Sequence, residues 1–254
     1  MKLENKIVLV TGASSGIGLD LVKALLKENM DVVAISRSIE EIDLNHKRLT
    51  KKNFDLSKQS QIDAMFQFVF AQYNRLDLFI ANAGFSYYEY ASGSDWKHIE
   101  DIFRVNTLSV LYSATQLKAH MKDAPFNFVA TASAASFLSM PGHALYSATK
   151  AALRGFMDGY RLELPKHQKL QTVFPVATKT NFFNKANQSN KPWPVQTSEH
   201  VAKVMIKGIK KDKKNIYPSK LFKYGFKLTP WFFALYMKRQ TRLFHRTKNK
   251  KIEE

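Results

Sequence analysis

The chain has 254 residues, 45% of them apolar, and no cysteine. That much apolar material supports a sizeable core and excludes a disordered or fibrous protein, while the absence of cysteine excludes disulfides, thiol catalysis and thiolate metal sites. Lys and Arg number 39 against 21 Asp and Glu, a formal net charge of +18 that favours anionic partners: nucleic acid, an acidic membrane or phosphorylated ligands.

The first apolar run, Ile7-Val8-Leu9-Val10, ends in a Gly-rich turn and predicts a buried strand. Ile17, Leu21, Val22, Leu25 and Leu26 recur at helical spacing over 17–28, and a second strand is expected over 31–36. A weaker third strand follows at 49–54, then a helix over 58–73 with Ile62, Met65, Phe66, Val69 and Phe70 as one stripe. Strands are expected at 76–81, 126–131 and 170–174, with a short seventh at 215–217, and helices fit between them at 95–121, 145–165 and 197–211. Strands alternating with helices predict βαβ units and a parallel sheet covered on both faces. Right-handed crossovers then make an α/β, single-domain, doubly wound parallel sheet.

The first turn, Thr11-Gly12-Ala13-Ser14-Ser15-Gly16-Ile17-Gly18, joins a strand to a helix. Gly12 permits a tight turn, Gly16 lets the backbone approach a phosphate, and Gly18 allows close helix–strand packing. The helix N-terminus, with Ser14, Ser15 and Ile17 beside it, offers free N–H groups to a pyrophosphate. The bland alternative is a tight βα loop. The end of the second strand, Ser36-Arg37-Ser38, carries no acid to bond a ribose diol, whereas Arg37 can pair with a 2′-phosphate. NADP(H) is therefore expected over NAD(H), with a solvated surface Arg37 as the alternative.

Tyr146 and Lys150 stand four apart in a helical segment, which places both on one face. A free tyrosine titrates near pH ~10, and a neighbouring ammonium such as that of Lys150 is expected to lower it. Ser133 precedes Tyr146 by 13 residues, just past the fifth strand. It can donate to an oxygen on which charge develops; Ser136 and Ser139 are its neighbours and competitors.

The Gly-x-x-x-Gly-x-Gly spacing behind Thr11, then Asn82-Ala83-Gly84, Asn106, Ser133, Tyr146 and Lys150 in order, resembles the short-chain dehydrogenase/reductase family, over roughly residues 11–180. The resemblance implies a Rossmann-like fold and reversible hydride transfer between a nicotinamide and a carbonyl or alcohol carbon. It implies that Ser133 holds the substrate oxygen, that Tyr146 is the acid/base, and that Lys150 binds the nicotinamide ribose. Asn106 would hold a water that links Lys150 to solvent. It further implies cofactor contacts from Asp55 and Leu56 near the adenine, from Asn82, Ala83 and Gly84, and from Pro175 and Thr180 near the nicotinamide. Asp55 is open to a second reading, the N-cap of the 58–73 helix. One departure is Val176, where the family has glycine after Pro175; a β-branched residue restricts that loop. A homo-oligomer through the helices flanking the fifth strand is a further implication. No metal is needed, and no clustered ligand set is seen.

Aromatics at Phe85, Tyr87, Tyr88 and Tyr90, and at Phe182, Phe183 and Trp193 between Pro192 and Pro194, either line an apolar substrate pocket or pin their own loops. Residues 1–218 are read as the catalytic domain and 219–254 as its basic amphipathic extension. That extension carries ten Lys and Arg between 219 and 251, with no acid before Glu253, interleaved with aromatics and leucines. Such a segment suits an anionic membrane surface. It equally suits a helix that covers the substrate cleft, or a partner subunit. No base-reading motif is present, so nucleic acid is not expected. The Trp231–Met237 run is too short to span a bilayer, and the N-terminus lacks the pattern of a signal peptide. A cytoplasmic protein, peripheral at the inner membrane surface if the tail docks there, is the expectation. Two rivals stay open: the same chemistry with NAD(H), and a non-catalytic nucleotide-binding or membrane-docking protein.

Overall fold

The structure, a computed structural model, describes residues 1–91, 95–182, 195–228 and 230–253, with backbone alone at 226–228, 230–233 and 247–253. Phe183, Pro192, Trp193 and Pro194 lie outside the described residues, as do the side chains of Phe226, Trp231, Phe232 and Phe233.

Strands β1 (Ile7–Thr11), β2 (Asp31–Ile35), β3 (Leu49–Lys52), β4 (Leu78–Ala81), β5 (Phe126–Thr131), β6 (Gln168–Val173) and β9 (Asn215–Ile216) form one sheet in the order β3-β2-β1-β4-β5-β6-β9. Every pairing is parallel. The helices are α1 (Gly16–Lys27), α2 (Gln59–Tyr73), α3 (Trp96–Phe103), α4 (Ser109–Met121), α5 (Ala144–Glu163), α6 (Ser198–Lys210), α7 (Lys220–Leu228) and α8 (Pro230–Glu253). A short parallel pair, β7 (Thr178–Lys179) with β8 (Gln196–Thr197), was not expected from the sequence.

Alternation along the strands builds two cores. Ile7, Leu9, Val33, Phe79 and Phe128 face α2, α4 and α5, where Phe66, Val69, Leu117, Leu153 and Met157 meet them. Val8, Val10, Val32, Ile80 and Val129 face the other way, onto Leu21, Leu25, Met205 and Ile209. Both faces are covered, so the central strands β1, β2 and β4 read as near-continuous apolar runs. The sheet reverses its winding between β1 and β4, and ligands of such folds bind outside the carboxyl ends of the strands at that point. Asn82 closes this seam. Its backbone N–H and that of Ala83 donate to Thr11 Oγ1 at 3.0 and 3.2 Å, and its Nδ2 reaches the Thr11 carbonyl at 3.3 Å.

Gly18 shows how closely α1 approaches the seam: a β-carbon there would run into the backbone carbonyl oxygen of Gly12. Backbone cannot swing aside as a side chain can. Gly18→Ala is therefore expected to cost about 1–3 kcal/mol despite its gain in helix propensity, read as a lower urea midpoint. An unchanged midpoint would show that α1 moves freely.

The helix expected over 95–121 is not continuous. Arg104–Leu108 forms a π-helical turn between α3 and α4, closed by the Ser109 N–H donating to the Arg104 carbonyl. Among the described residues, the 219–254 extension forms two helices, α7 and α8.

Candidate active site

A cleft of about 380 Å³ runs along the carboxyl ends of the strands. It is lined by Gly12, Ser14, Ser15, Gly16, Ile17, Arg37, Asp55, Leu56, Asn82, Ala83, Gly84, Ser133, Tyr146, Lys150, Pro175 and Thr180, residues singled out in the sequence. Gly18 and Asn106 stand behind it, against Gly12 and Gly84 respectively.

At one end, Gly12 and Gly16 hold φ of +64° and +53°, and β-carbons there would lie 2.8 Å from Ala83 Cα and 2.7 Å from the Thr180 methyl. The positive φ and the crowding both exclude side chains. This turn leads into the N-terminus of α1, whose N-cap, Ser15, spends no side-chain hydrogen bond on the helix. Bare backbone at a helix N-terminus fits an anionic group such as a pyrophosphate. Further out, Ser14 and Ser36 hydroxyls pair at 2.8 Å, and Ser38 reaches Ser14 at 3.3 Å. The exposed Arg37 completes this group, its carbonyl held by Asn53 Nδ2 at 2.9 Å. Asp55 Oδ1 accepts from the Ser57 N–H at 3.1 Å and from its hydroxyl at 2.9 Å. Burial alone would raise Asp55, but these bonds and the charges of Arg37 and Lys58 outweigh it and hold the carboxyl below its usual range. The N-cap alternative for Asp55 is corrected: α2 starts at Gln59 with Lys58 as its N-cap, and Asp55 closes a turn one step earlier.

At the other end, α5 carries Tyr146 and Lys150 one turn apart. Tyr146 and Ser133 both line the cleft, Ser133 favours ionisation of the Tyr146 phenol, and Ser133 Oγ accepts from the Ala135 N–H at 3.1 Å. Lys150 Nζ donates to the Thr131 carbonyl at 2.8 Å and lies 5.7 Å from the centre of the Tyr146 ring. The expectation that Lys150 lowers Tyr146 is corrected. Burial pushes Tyr146 up to about 12, and Ser133 offsets this only in part. Burial also pushes Lys150 down to about 8. Desolvation disfavours the charged form of each group.

Asn106 sits in the π turn, fully buried. Its Oδ1 accepts from the Phe85 N–H at 3.0 Å, and its Nδ2 donates to the Phe85 carbonyl at 2.8 Å and to Thr149 Oγ1 at 3.3 Å. Both amide hydrogens are therefore committed to protein, which leaves the second lone pair of Oδ1 and the backbone for any water at Asn106. Ser136 donates to the Lys150 carbonyl at 2.8 Å, and the exposed Ser139 is not among the cleft residues. Val176 packs against the first core, and it is not among the positive-φ residues. The valine therefore fits this loop without left-handed strain.

The outer wall is apolar: Phe85, Val105, Leu138, Met140, Val176 and Phe182, with Phe182 edge-on to Tyr146 at 5.3 Å. Sequence reasoning missed His143, Leu221, Phe222 and Tyr236, which also line the cleft. Burial pushes Tyr236 up to about 12, and Arg239 pulls it partly back. The helical spacing of the tail signalled an apolar face but not its target. The tail does cover the cleft, and Phe244 of α8 fixes it there, edge-on to Tyr88 at 5.3 Å and to Tyr90 at 4.6 Å. Of the first aromatic group, Phe85 alone lines the cleft. Tyr87 stacks on His98 at 4.2 Å, and Tyr88 and Tyr90 hold α8.

A model of the family described as short chain dehydrogenase matches residues 6–191. An uncharacterised oxidoreductase of Staphylococcus saprophyticus is 29% identical over 170 residues, covering 63% of this chain and 68% of that protein. The 3-oxoacyl-(acyl-carrier-protein) reductase of Buchnera aphidicola is 28% identical over 218 residues, covering 82% and 86%. A short chain dehydrogenase from Burkholderia cenocepacia, solved in complex with NADP, is similar in fold with a TM-score of 0.81 at 20% identity, covering 93% and 99% of the two chains. Another, from Burkholderia phymatum in complex with NAD, gives 0.79 at 17% identity, covering 92% and 96%. The chain belongs to the short-chain dehydrogenase family of oxidoreductases.

Proposed function

We propose that the protein is an NADP(H)-dependent oxidoreductase that interconverts a carbonyl and an alcohol on an apolar substrate, with Ser133, Tyr146, Lys150 and Asn106 as its working residues. The observation that carries this reading is that Ser133, Tyr146 and, one helical turn on, Lys150 line the same cleft as the bare glycine turn. When bound, the nicotinamide dinucleotide supplies the hydride. Gly12, Ser14, Ser15, Gly16 and Ile17 would hold its pyrophosphate, Asp55 and Leu56 its adenine side, and Asn82, Ala83, Gly84, Pro175 and Thr180 its nicotinamide half. Lys150, turned toward the cleft beside Gly84, would hold the ribose between them.

The chain's own part is proton and charge management. Ser133 donates to the substrate oxygen, and Tyr146 passes it a proton. Lys150 restores that proton to Tyr146. Asn106 fixes the Phe85 backbone and, through Thr149, the turn that carries Tyr146. Preference for NADP(H) rests on Arg37 beside the Ser14, Ser36 and Ser38 hydroxyls, with no acid among residues 36–38 at the end of β2. The apolar substrate follows from the Phe85, Leu138, Met140 and Phe182 wall. A homo-oligomer built on α4 and α5 accords with the exposure of Leu108, just before α4, and of Leu162, on α5.

The direct test is nicotinamide absorbance during incubation with a panel of apolar aldehydes and ketones. Tight NADPH binding without turnover on any member would replace the enzyme with a nucleotide-binding protein.

The two titrations give a pH signature. Tyr146 stays protonated through neutral pH, and Lys150 holds its ammonium only below about pH 8. The kcat/KM for reduction reports groups of the free enzyme, so it is expected to be level below about pH 8 and to fall above it. Alcohol oxidation, which needs the phenolate, should rise over the same range. A reduction rate that climbs through pH 8 would remove Lys150 from the proton path.

A further inference from the structure

The C-terminal helices turn one face to the cleft and another to solvent. On α8, Tyr236 and Phe244 point inward. Leu235, Lys238, Arg239, Arg242 and Arg246 are all exposed and recur at i, i+3, i+4, i+7 and i+11, which gathers them into one stripe. On α7, Phe222 is buried, while Lys220, Lys223 and Tyr224 share the outward side. Two features set this surface apart.

The first is unbalanced charge. Elsewhere cations meet carboxylates, as in Lys97–Asp101, Arg104–Glu100, Lys169–Asp212 and Lys210–Glu28. Among the described residues no carboxylate pairs with Lys220, Lys223, Lys238, Arg239, Arg242 or Arg246. No acid occurs in the sequence between 219 and 252 to neutralise them. The second is apolar exposure within the same surface. Leu221, Tyr224 and Leu235 are 48%, 55% and 60% exposed.

We infer that α7 and α8 form a docking face for an anionic lipid bilayer. Cations alone would serve any polyanion. Leucine and tyrosine side chains standing among them suit a medium with phosphates at its surface and hydrocarbon just beneath. A nucleic acid would leave these apolar groups in water. No described helix is long and apolar enough to cross a membrane, so the contact is peripheral. Leu221 and Tyr236 of these same helices line the cleft, so docking sets its mouth at the lipid surface. That consequence rests on the apolar substrate proposed above; the docking itself does not.

The experiment is co-sedimentation of the full chain with vesicles of phosphatidylcholine alone or of phosphatidylcholine and phosphatidylglycerol in equal parts, with NADPH binding measured on every variant. The mixed vesicles should pellet the protein and the neutral ones should not. The triple variant K238Q/R239Q/R242Q should weaken the contact by about fivefold per removed cation, roughly a hundredfold in all. L235S should weaken it further, and NADPH affinity should stay constant throughout. Equal pelleting of the parent and the triple variant overturns the proposal, as does a short DNA duplex that binds where mixed vesicles do not. If vesicles leave the protein in solution while NADPH still binds, docking fails and the oxidoreductase reading stands.

Discussion

Tyr146→Phe is expected to lower kcat for carbonyl reduction by about 10²–10⁴-fold, the usual contribution of a positioned proton donor, with the Kd for NADPH unchanged. The geometry makes this a clean substitution. The phenyl ring keeps its edge contacts with Phe182 at 5.3 Å and His143 at 6.2 Å. Ser133 Oγ keeps the Ala135 N–H when the phenol is gone. What disappears is the one hydroxyl that both lines the cleft and has Lys150 a helical turn behind it. A thermal melt close to the parent's, with NADPH binding intact and turnover lost, is the expected triad of results. If turnover falls by less than about tenfold, far short of that range, the proton comes from elsewhere, and Ser133 becomes the donor to examine.

Arg37→Asp should reverse the cofactor preference. A hydrogen bond to a charged group contributes about 1.5–3 kcal/mol, so loss of Arg37 alone should weaken NADPH by roughly 10- to 100-fold at about 1.4 kcal/mol per decade. The introduced carboxylate adds repulsion of a 2′-phosphate, and it can accept from the ribose diol of NADH. The Ser14, Ser36 and Ser38 hydroxyls remain, so the backbone frame of the site is untouched. The ratio of the two dissociation constants, taken by fluorescence titration, reads the effect without turnover. A ratio that does not move leaves Arg37 in solvent and favours NAD(H).

The parallel sheet and the order of its motifs were legible because they depend on local pattern. A dry strand, a glycine turn and an amphipathic helix each announce themselves within a dozen residues. The strand and helix bounds differ from expectation by a residue or two, as fraying ends do. Other features are set by contacts between distant segments. The pKa of Tyr146 follows from how neighbours such as Phe182 and His143 keep it from water, and no spacing reports that. Asp55 carries the side chain of an N-cap, but the turn through Ser57 places it one step too early. The interruption at 104–108 leaves the composition of 95–121 helical throughout, so periodicity runs straight over it. The C-terminal segment showed its amphipathic character, but Phe244 finding Tyr88 and Tyr90 is a long-range event.

The π turn at Arg104–Leu108 has one residue more than an α-helical path between α3 and α4 would need. Most helices tolerate a substitution better than a deletion. Here simple counting inverts the order: excise one residue from the turn, and α3 and α4 can merge into a single regular rod with its hydrogen-bond ladder restored. The repair would leave one half rotated by about 100° against the other. Either Ile102 leaves the core or Asn106 swings off the Phe85 backbone. The chain would gain a better helix and lose the strut beneath Gly84. Length, at this one position, is as much a functional attribute as the identity of any side chain.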